Sequence, residues 1–185
     1  ILERMGRRTT RREIAELIAK LRERIPDVVL RTTALVGYPG ETDEDFAELV
    51  EFIEEVEFDR LGAFIYSEEE GTRAALEGPS VPQTAREERL DAVMRCQQAI
   101  AFRHAAARVG SEVEVVVDGR LDRSHYGARS YAEAPDVDGI LRVSGRRLEP
   151  GEFVDVRITD ADGYDLEARA GGHPPSRKDA DGPAA

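Results

Sequence analysis

The chain is poor in the residues that hold metals and disulfides. One cysteine, Cys96, and three histidines occur in 185 residues. A disulfide within the chain is excluded, and the single thiol fits a reducing, cytoplasmic home. So few soft ligands also argue against a metal centre built from this chain alone. No apolar run approaches the roughly 20 residues that span a bilayer. The start lacks the basic, apolar and small-residue pattern of a signal peptide, and no membrane partner is expected. Lysine is confined to Lys20 and Lys178, so arginine supplies nearly all positive charge. That bias is read as a GC-rich genome rather than mechanism. An initiator methionine is missing too. The chain opens "ILERMGRRTT" and reads as a piece of something longer.

What is present is a soluble globular composition, 41% hydrophobic and 35% charged, with a formal net charge of -12. A general nucleic-acid binder carries a basic face, so the acidity weighs against an RNA or DNA partner. It does so only on average, because charge can be local.

Periodicity divides the chain in two. Thr10 and Glu13 have the T-x-x-E spacing of a capping box. Ile14, Leu17, Ile18, Leu21 and Ile25 then share one helical face over residues 10–25. The β-branched run "VVLRTTALV" (28–36) predicts a strand. Thr42 caps a second helix with Phe46, Leu49, Val50, Ile53 and Val56 on its apolar face, and "FDRLGAFIY" supplies a strand over 60–66. Strands separated by helices pair in parallel through right-handed crossovers. Two of them look like the last portion of an α/β sheet or barrel.

A loop rich in Gly, Pro and Glu (67–82) leads to a long helix, 84–108, with a second capping box at Thr84 and Glu87. Leu90, Val93, Met94, Gln97 and Ala101 form its thinner stripe. Beyond Gly110 the pattern changes to short strands at 112–118, 126–133, 139–144, 152–160 and 164–170. Turn signals such as Asp118-Gly119 and Asp162-Gly163 separate most of them. Five such strands predict a small OB-like barrel. The expected organisation is an α/β part over 1–82, a linking helix over 83–110, the barrel over 111–170 and a disordered tail over 171–185.

The stretch "RTTALVGYPGETDEDF" (31–46) carries the most information. Phosphate binding is disfavoured, because Glu41, Asp43, Glu44 and Asp45 crowd the helix start and repel another anion. An ordinary strand-to-helix turn with capping acids remains open. So does a ligand site at the carboxyl end of a parallel strand, where α/β folds keep their sites. Alternation places Val29, Arg31, Thr33 and Leu35 on one face. Parallel strands are normally apolar on both faces, so Arg31 and Thr33 suggest a polar interior. A salt bridge to a neighbouring strand explains Arg31 equally well. No Ser-His-Asp set stands at a recognisable spacing. His104 and His125 read as surface residues, Cys96 as a small buried one, and Glu68 to Glu70 as a solvated charge run.

The stretch from Leu30 to Ala75 closely resembles the end of the radical S-adenosylmethionine (SAM) domain of methylthiotransferases. The shared pattern is a strand ending in V-G-[FY]-P-G-E-T, an acidic helix, and a strand ending in F-x-Y-S with E-G-T-x-A beyond. The preceding "LERMGRRTTRREI" resembles the segment that leads into it. The five-strand module resembles a TRAM domain, and "GARSYAEAPDVDG" (127–139) resembles the RimO-type branch. The resemblance implies a partial TIM-like radical SAM barrel of parallel strands followed by an all-β TRAM barrel. It also implies addition of a methylthio group to the β-carbon of an aspartate in small-subunit ribosomal protein S-twelve, using SAM and two four-iron four-sulfur clusters. The runner-up branch modifies adenosine in tRNA, and a non-catalytic TRAM binding module is a third possibility.

The cluster motif C-x-x-x-C-x-x-C is absent, so both clusters would need ligands from elsewhere, and Glu68 stands where relatives usually have proline after Tyr66-Ser67. By position, Arg31 and Thr33 would face SAM, with Arg31 pairing to the methionine carboxylate. Leu35 and Gly37 would lie near adenine, with Phe64 and Tyr66 as an aromatic wall; ordinary core packing is the competing role for those two. Residues 111–170 hold 14 acidic residues against 8 arginines. Such a barrel suits a basic ribosomal protein better than tRNA.

Overall fold

The computed structural model describes residues 1–76 and 80–171. It divides into two compact units, Ile1–Ala101 and the chain from Phe102 onward. The first unit is built on two strands, β1 (Arg31–Val36) and β2 (Arg60–Ile65). They pair in parallel, with Arg31 opposite Arg60 and Val36 opposite Ile65. Helices α1 (Arg11–Arg24) and α2 (Asp43–Val56) precede and join them, and α3 (Gln83–Ala107) follows.

The reason for this arrangement lies in one face of the strand pair. Ala34, Val36 and Leu61 are buried with Ile18 of α1, Ile53 and Val56 of α2, Phe58, and Val93 and Ile100 of α3. Each large aliphatic side chain so buried contributes about 1.5–3 kcal/mol. The ends of the helices are tied down locally. Thr10 and Glu13 form the expected capping box on α1, and Thr42 and Asp45 form one on α2. Helix α2 stops at Glu57, which adopts a left-handed φ of 50°. Arg22 donates to the carbonyls of Val56 and Glu57 at that end. Gln97 reaches from α3 to the Phe58 carbonyl at 2.8 Å, so the polar member of the α3 stripe is a buried hydrogen-bonding group.

The second unit is a closed barrel. Its strands are β3 (Glu112–Arg120), β4 (His125–Arg129), β5 (Leu141–Ser144), β6 (Phe153–Asp162) and β7 (Asp165–Ala170). Their order around the barrel is β3-β4-β5-β7-β6. Only β5 and β7 run parallel among these neighbours. Val115, Val117, Leu141, Val143, Val154, Val156 and Ile158 fill the interior, each 0–1% exposed. The alternation predicted for β3 is therefore realised. Register shifts near Gly119 and between Ile158 and Asp160 bend the long strands, as barrel closure requires.

Several local expectations change. The strand expected over 126–133 ends at Arg129. Buried Glu133 turns back to accept from the Ser130 backbone N–H at 3.0 Å and from its hydroxyl, and Arg108 binds the same carboxylate. A local side-chain network has outcompeted the ladder. Helix α3 begins at Gln83, so Thr84 lies inside the first turn; Gln83 bonds Glu87 at 2.7 Å. Leu17, placed on the apolar face of α1, is 57% exposed, and Ile25 is 50% exposed. The tail from residue 172 lies outside the described residues, as do 77–79 of the preceding loop. No helix among the described residues is long and apolar enough to cross a membrane.

Candidate functional site

The strand pair has a second face, opposite to the helices. Arg31, Thr33, Gly62 and Phe64 are exposed there, and Leu35 is half-buried. The register sets Thr33 beside Gly62 and Leu35 beside Phe64. One broad surface thus carries a guanidinium, a hydroxyl, a bare backbone position and an aromatic ring. Phe64 is 63% exposed, which is unusual for an aromatic side chain within a strand. Of the six predicted positions, Arg31, Thr33, Leu35 and Phe64 meet on this surface.

Gly37 and Tyr66 sit at its carboxyl-terminal edge in a different setting. Gly37 is buried and takes a φ of +75°. A side chain there would overlap Arg86 of α3, whose Nη1 donates to the Tyr66 carbonyl at 3.1 Å. The Gly37 N–H is already committed to the Glu41 carboxylate at 3.0 Å. Tyr66 extends the ladder by donating its N–H to the Val36 carbonyl, and its ring meets Tyr38 edge-on at 5.4 Å. Its hydroxyl is buried with no hydrogen-bond partner among the described residues. A buried hydroxyl left in this state costs about 1–3 kcal/mol, so a bound polar group at this edge would recover stability.

The turn after β1 is stiffened from three sides. Glu41 is buried and accepts from Arg89 Nη1 at 2.6 Å, while Arg89 Nη2 binds Asp43 at 2.7 Å. Desolvation opposes the charge on Arg89, but its bonds to Asp43 and Glu41 win and strengthen its hold on the proton. Arg4 donates to the carbonyls of Pro39 and Gly40. Tyr38 is buried, and its hydroxyl donates to the Arg4 carbonyl at 3.2 Å. Several backbone donors around the turn are occupied: Glu41 takes Gly37 N–H, and the capping box takes Thr42 and Asp45 N–H. The turn is a fixed rim, not an anion cradle. Arg4, Arg86 and Arg89 escaped sequence reasoning. Only spatial proximity couples them to the turn, although an arginine pair three residues apart on a linking helix was a usable hint.

Cys96 is half-buried in α3 against the first unit's core. No group of three or more metal-ligating side chains gathers among the described residues. His125 is half-buried and bonded to Asp122. Asp122 holds its carboxyl well below the usual range, first through the Ser124 backbone N–H and then through His125. That cluster closes the β3–β4 turn, with the Ser124 hydroxyl donating to Asp122 Oδ1 at 3.0 Å and lying 3.2 Å from His125 Nδ1.

Residues 1–53 match the radical SAM superfamily model, and residues 109–170 match the TRAM domain model. The chain is 44% identical to ribosomal protein uS12 methylthiotransferase RimO of Caldanaerobacter subterraneus over 90% of its length and 38% of that protein. It is 46% identical to the same-named protein of Desulfitobacterium hafniense, again over 90% of this chain and 38% of that one. For the Bacteroides thetaiotaomicron protein of that name the identity is 43%, over 91% of this chain and 39% of the relative. The chain therefore spans under two-fifths of the length of the curated relatives it matches.

Proposed function

Since this chain belongs to the RimO type of radical SAM methylthiotransferases with a TRAM domain, we propose that the whole protein adds a methylthio group to the β-carbon of an aspartate in small-subunit ribosomal protein S-twelve. The family implies SAM and an iron–sulfur cluster; that there are two four-iron four-sulfur clusters is part of the proposal. When bound, these groups supply the radical and the sulfur that the reaction needs.

The polar outer face of β1 and β2 carries this reading. It fits SAM in kind, because the ligand's carboxylate, hydroxyls and adenine need a guanidinium, polar neighbours and an aromatic surface. Arg31 binds the methionine carboxylate, for which its planar fork is suited. Thr33 offers a hydroxyl beside it. Gly62, without a side chain, leaves room for close approach. Leu35 and Phe64 pack on adenine, and the Tyr66 hydroxyl donates to a polar atom at the rim. Gly37 acts indirectly, by letting Arg86 hold the rim in place. The lone Cys96 does not fit a cluster, so no step is assigned to cluster ligands in this chain.

The TRAM barrel docks the ribosomal protein, which is basic, onto a net acidic surface. The setting is cytoplasmic. The test is the product of the upstream-extended reading frame, purified anaerobically and reconstituted. Iron, sulfide and 5′-deoxyadenosine are measured, followed by the mass of S-twelve and of tRNA after turnover. Methylthiolated S-twelve is expected. Modified tRNA adenosine would assign the other branch, and a folded protein without cluster or SAM cleavage would leave a binding module.

A further inference from the structure

Two arginines stand three residues apart near the start of α3 and share a helix face, yet their surroundings differ. Arg89 is buried and neutralised by two carboxylates, Glu41 and Asp43. Arg86 is half-buried, and its guanidinium makes one hydrogen bond, from Nη1 to the neutral Tyr66 carbonyl at 3.1 Å. It has no ion pair among the described residues, and its Nε is buried there without an acceptor. The buried carboxylate of the turn, Glu41, is already committed to Gly37 N–H and Arg89. Tyr66, the residue that Arg86 holds, carries a second orphan: its hydroxyl is buried with no partner among the described residues. The stem of Arg86 lies over Gly37, in the space a Cβ would take. The backbone of this turn is no anion cradle, but the side chain above it is an uncompensated cation. It sits at the carboxyl-terminal end of both strands, the end where α/β folds carry out their chemistry.

A guanidinium with donors to spare is matched by an anion with two acceptor oxygens, and a carboxylate fits its fork. SAM has one carboxylate, which the reading above gives to Arg31. Arg31 lies six residues before Gly37, about 20 Å along the strand at roughly 3.3 Å per residue. One SAM carboxylate therefore satisfies one of the two guanidinium groups. The other carboxylate in the reaction belongs to the substrate, because the methylthio group is added one bond away from an aspartyl side-chain carboxylate. We propose that Arg86 binds the side-chain carboxylate of the substrate aspartate and makes the site selective for it over a neutral residue. The Tyr66 hydroxyl is the second donor open to that group. Holding the carboxylate fixes the adjacent β-carbon. A site built to pair a polar group also rejects an analogue that lacks it, since the site's own donors are then left unpaired. The proposal rests on the ribosomal-protein reading and on Arg31 as the partner of SAM.

The test uses the reconstituted product of the upstream-extended reading frame, with Arg86→Met and Arg86→Lys. Methionine keeps an unbranched stem over Gly37, lysine keeps the charge as well, and thermal melting checks the fold. Each enzyme is given S-twelve and S-twelve with asparagine in place of the target aspartate. Methylthiolation rates and SAM affinity by calorimetry are recorded. The wild type should prefer aspartate by about tenfold to a hundredfold in kcat/KM, the size of a lost charge-assisted bond. Arg86→Met should raise KM for S-twelve by a similar factor and bring the two substrates level, with SAM affinity within about twofold of wild type. Arg86→Lys should restore part of the preference.

A wild type that accepts asparagine as readily as aspartate would overturn the assignment without any variant. So would an Arg86→Met enzyme that is slowed equally on both substrates, because a merely structural role lowers both rates and leaves their ratio. Weaker SAM binding by Arg86→Met with an unchanged aspartate preference would give Arg86 to the SAM carboxylate instead. Failure of the underlying reading looks different and appears in the wild type alone. If it cleaves SAM and modifies tRNA adenosine but never S-twelve, the ribosomal-protein reading fails, and this proposal fails with it, because adenosine carries no carboxylate.

Discussion

Arg89 of α3 and Glu41 of the turn after β1 form a buried ion pair, with Nη1 and Oε1 2.6 Å apart and side chains 9% and 4% exposed. The pair clamps the rim of the candidate SAM face to α3. Breaking such a pair from one side leaves a buried charge and costs about 3–5 kcal/mol. Arg89→Met should therefore lower stability by about that amount in urea denaturation. The double variant Arg89→Met/Glu41→Met should recover most of it, because neither charge then remains in the interior. A double variant no more stable than the single one would show that the geometry, rather than the unpaired charge, sets the cost.

Gly37 gives a second test of the rim. Its φ of +75° disfavours any side chain, and the space that a Cβ would occupy belongs to Arg86. Backbone strain of this kind costs about 1–2 kcal/mol, and overpacking adds about 1–3 kcal/mol. Gly37→Ala should lose about 2–4 kcal/mol. Adding Arg86→Ala should return the packing part and leave the backbone part. Full recovery in the double variant would mean that the left-handed conformation carries no strain.

The elements and their order could be read from the sequence because their signals are local. Thr42 and Asp45 announce a helix start, β1 is a run of small and β-branched residues, and the β3 valines alternate. Four candidate residues meeting on one face follow from the same period of two. The rim was hidden because its parts are distant in the chain: Glu41 and Arg89 stand 48 residues apart. The misread segment at 130–133 failed for a related reason. Ser130 and Glu133 prefer each other and Arg108 to a strand partner, and no strand propensity reports that.

The α2 capping box should give stability a pH dependence. Asp45 has its carboxyl lowered from the ordinary 3.8, first by the Thr42 backbone N–H and, with burial opposing, by the Thr42 hydroxyl. A depressed folded-state value means that the unfolded chain binds more protons as pH falls, so stability rises with pH through that window. The contribution is complete above the unfolded value and is lost as pH drops through the folded one. Asp45→Asn should cost about 1 kcal/mol at pH 7. The gap between wild type and variant in thermal melts should hold down to about pH 5 and then close at lower pH. A gap that stays constant to pH 2 would mean that the amide's geometry, and not the lost charge, is responsible.

Arg31 decides whether the open face is a cofactor site. It is exposed on the face shared with Thr33 and Phe64, and a bidentate carboxylate contact there depends on the planar fork. In the complete protein, Arg31→Ala should weaken SAM binding by roughly ten- to a hundredfold, the size expected for losing a charge-assisted hydrogen-bonded pair of about 1.5–3 kcal/mol. Arg31→Lys should recover only part, because an ammonium keeps the charge but not the fork. Phe64→Ala should act additively if the ring packs on adenine while Arg31 holds the distant carboxylate, since separated contacts couple weakly. Calorimetric titration with SAM measures all three. A pronounced failure of additivity would place both residues on the same part of the ligand. Unchanged affinity in Arg31→Ala would remove the carboxylate assignment and return Arg31 to a salt-bridging role within the strand pair.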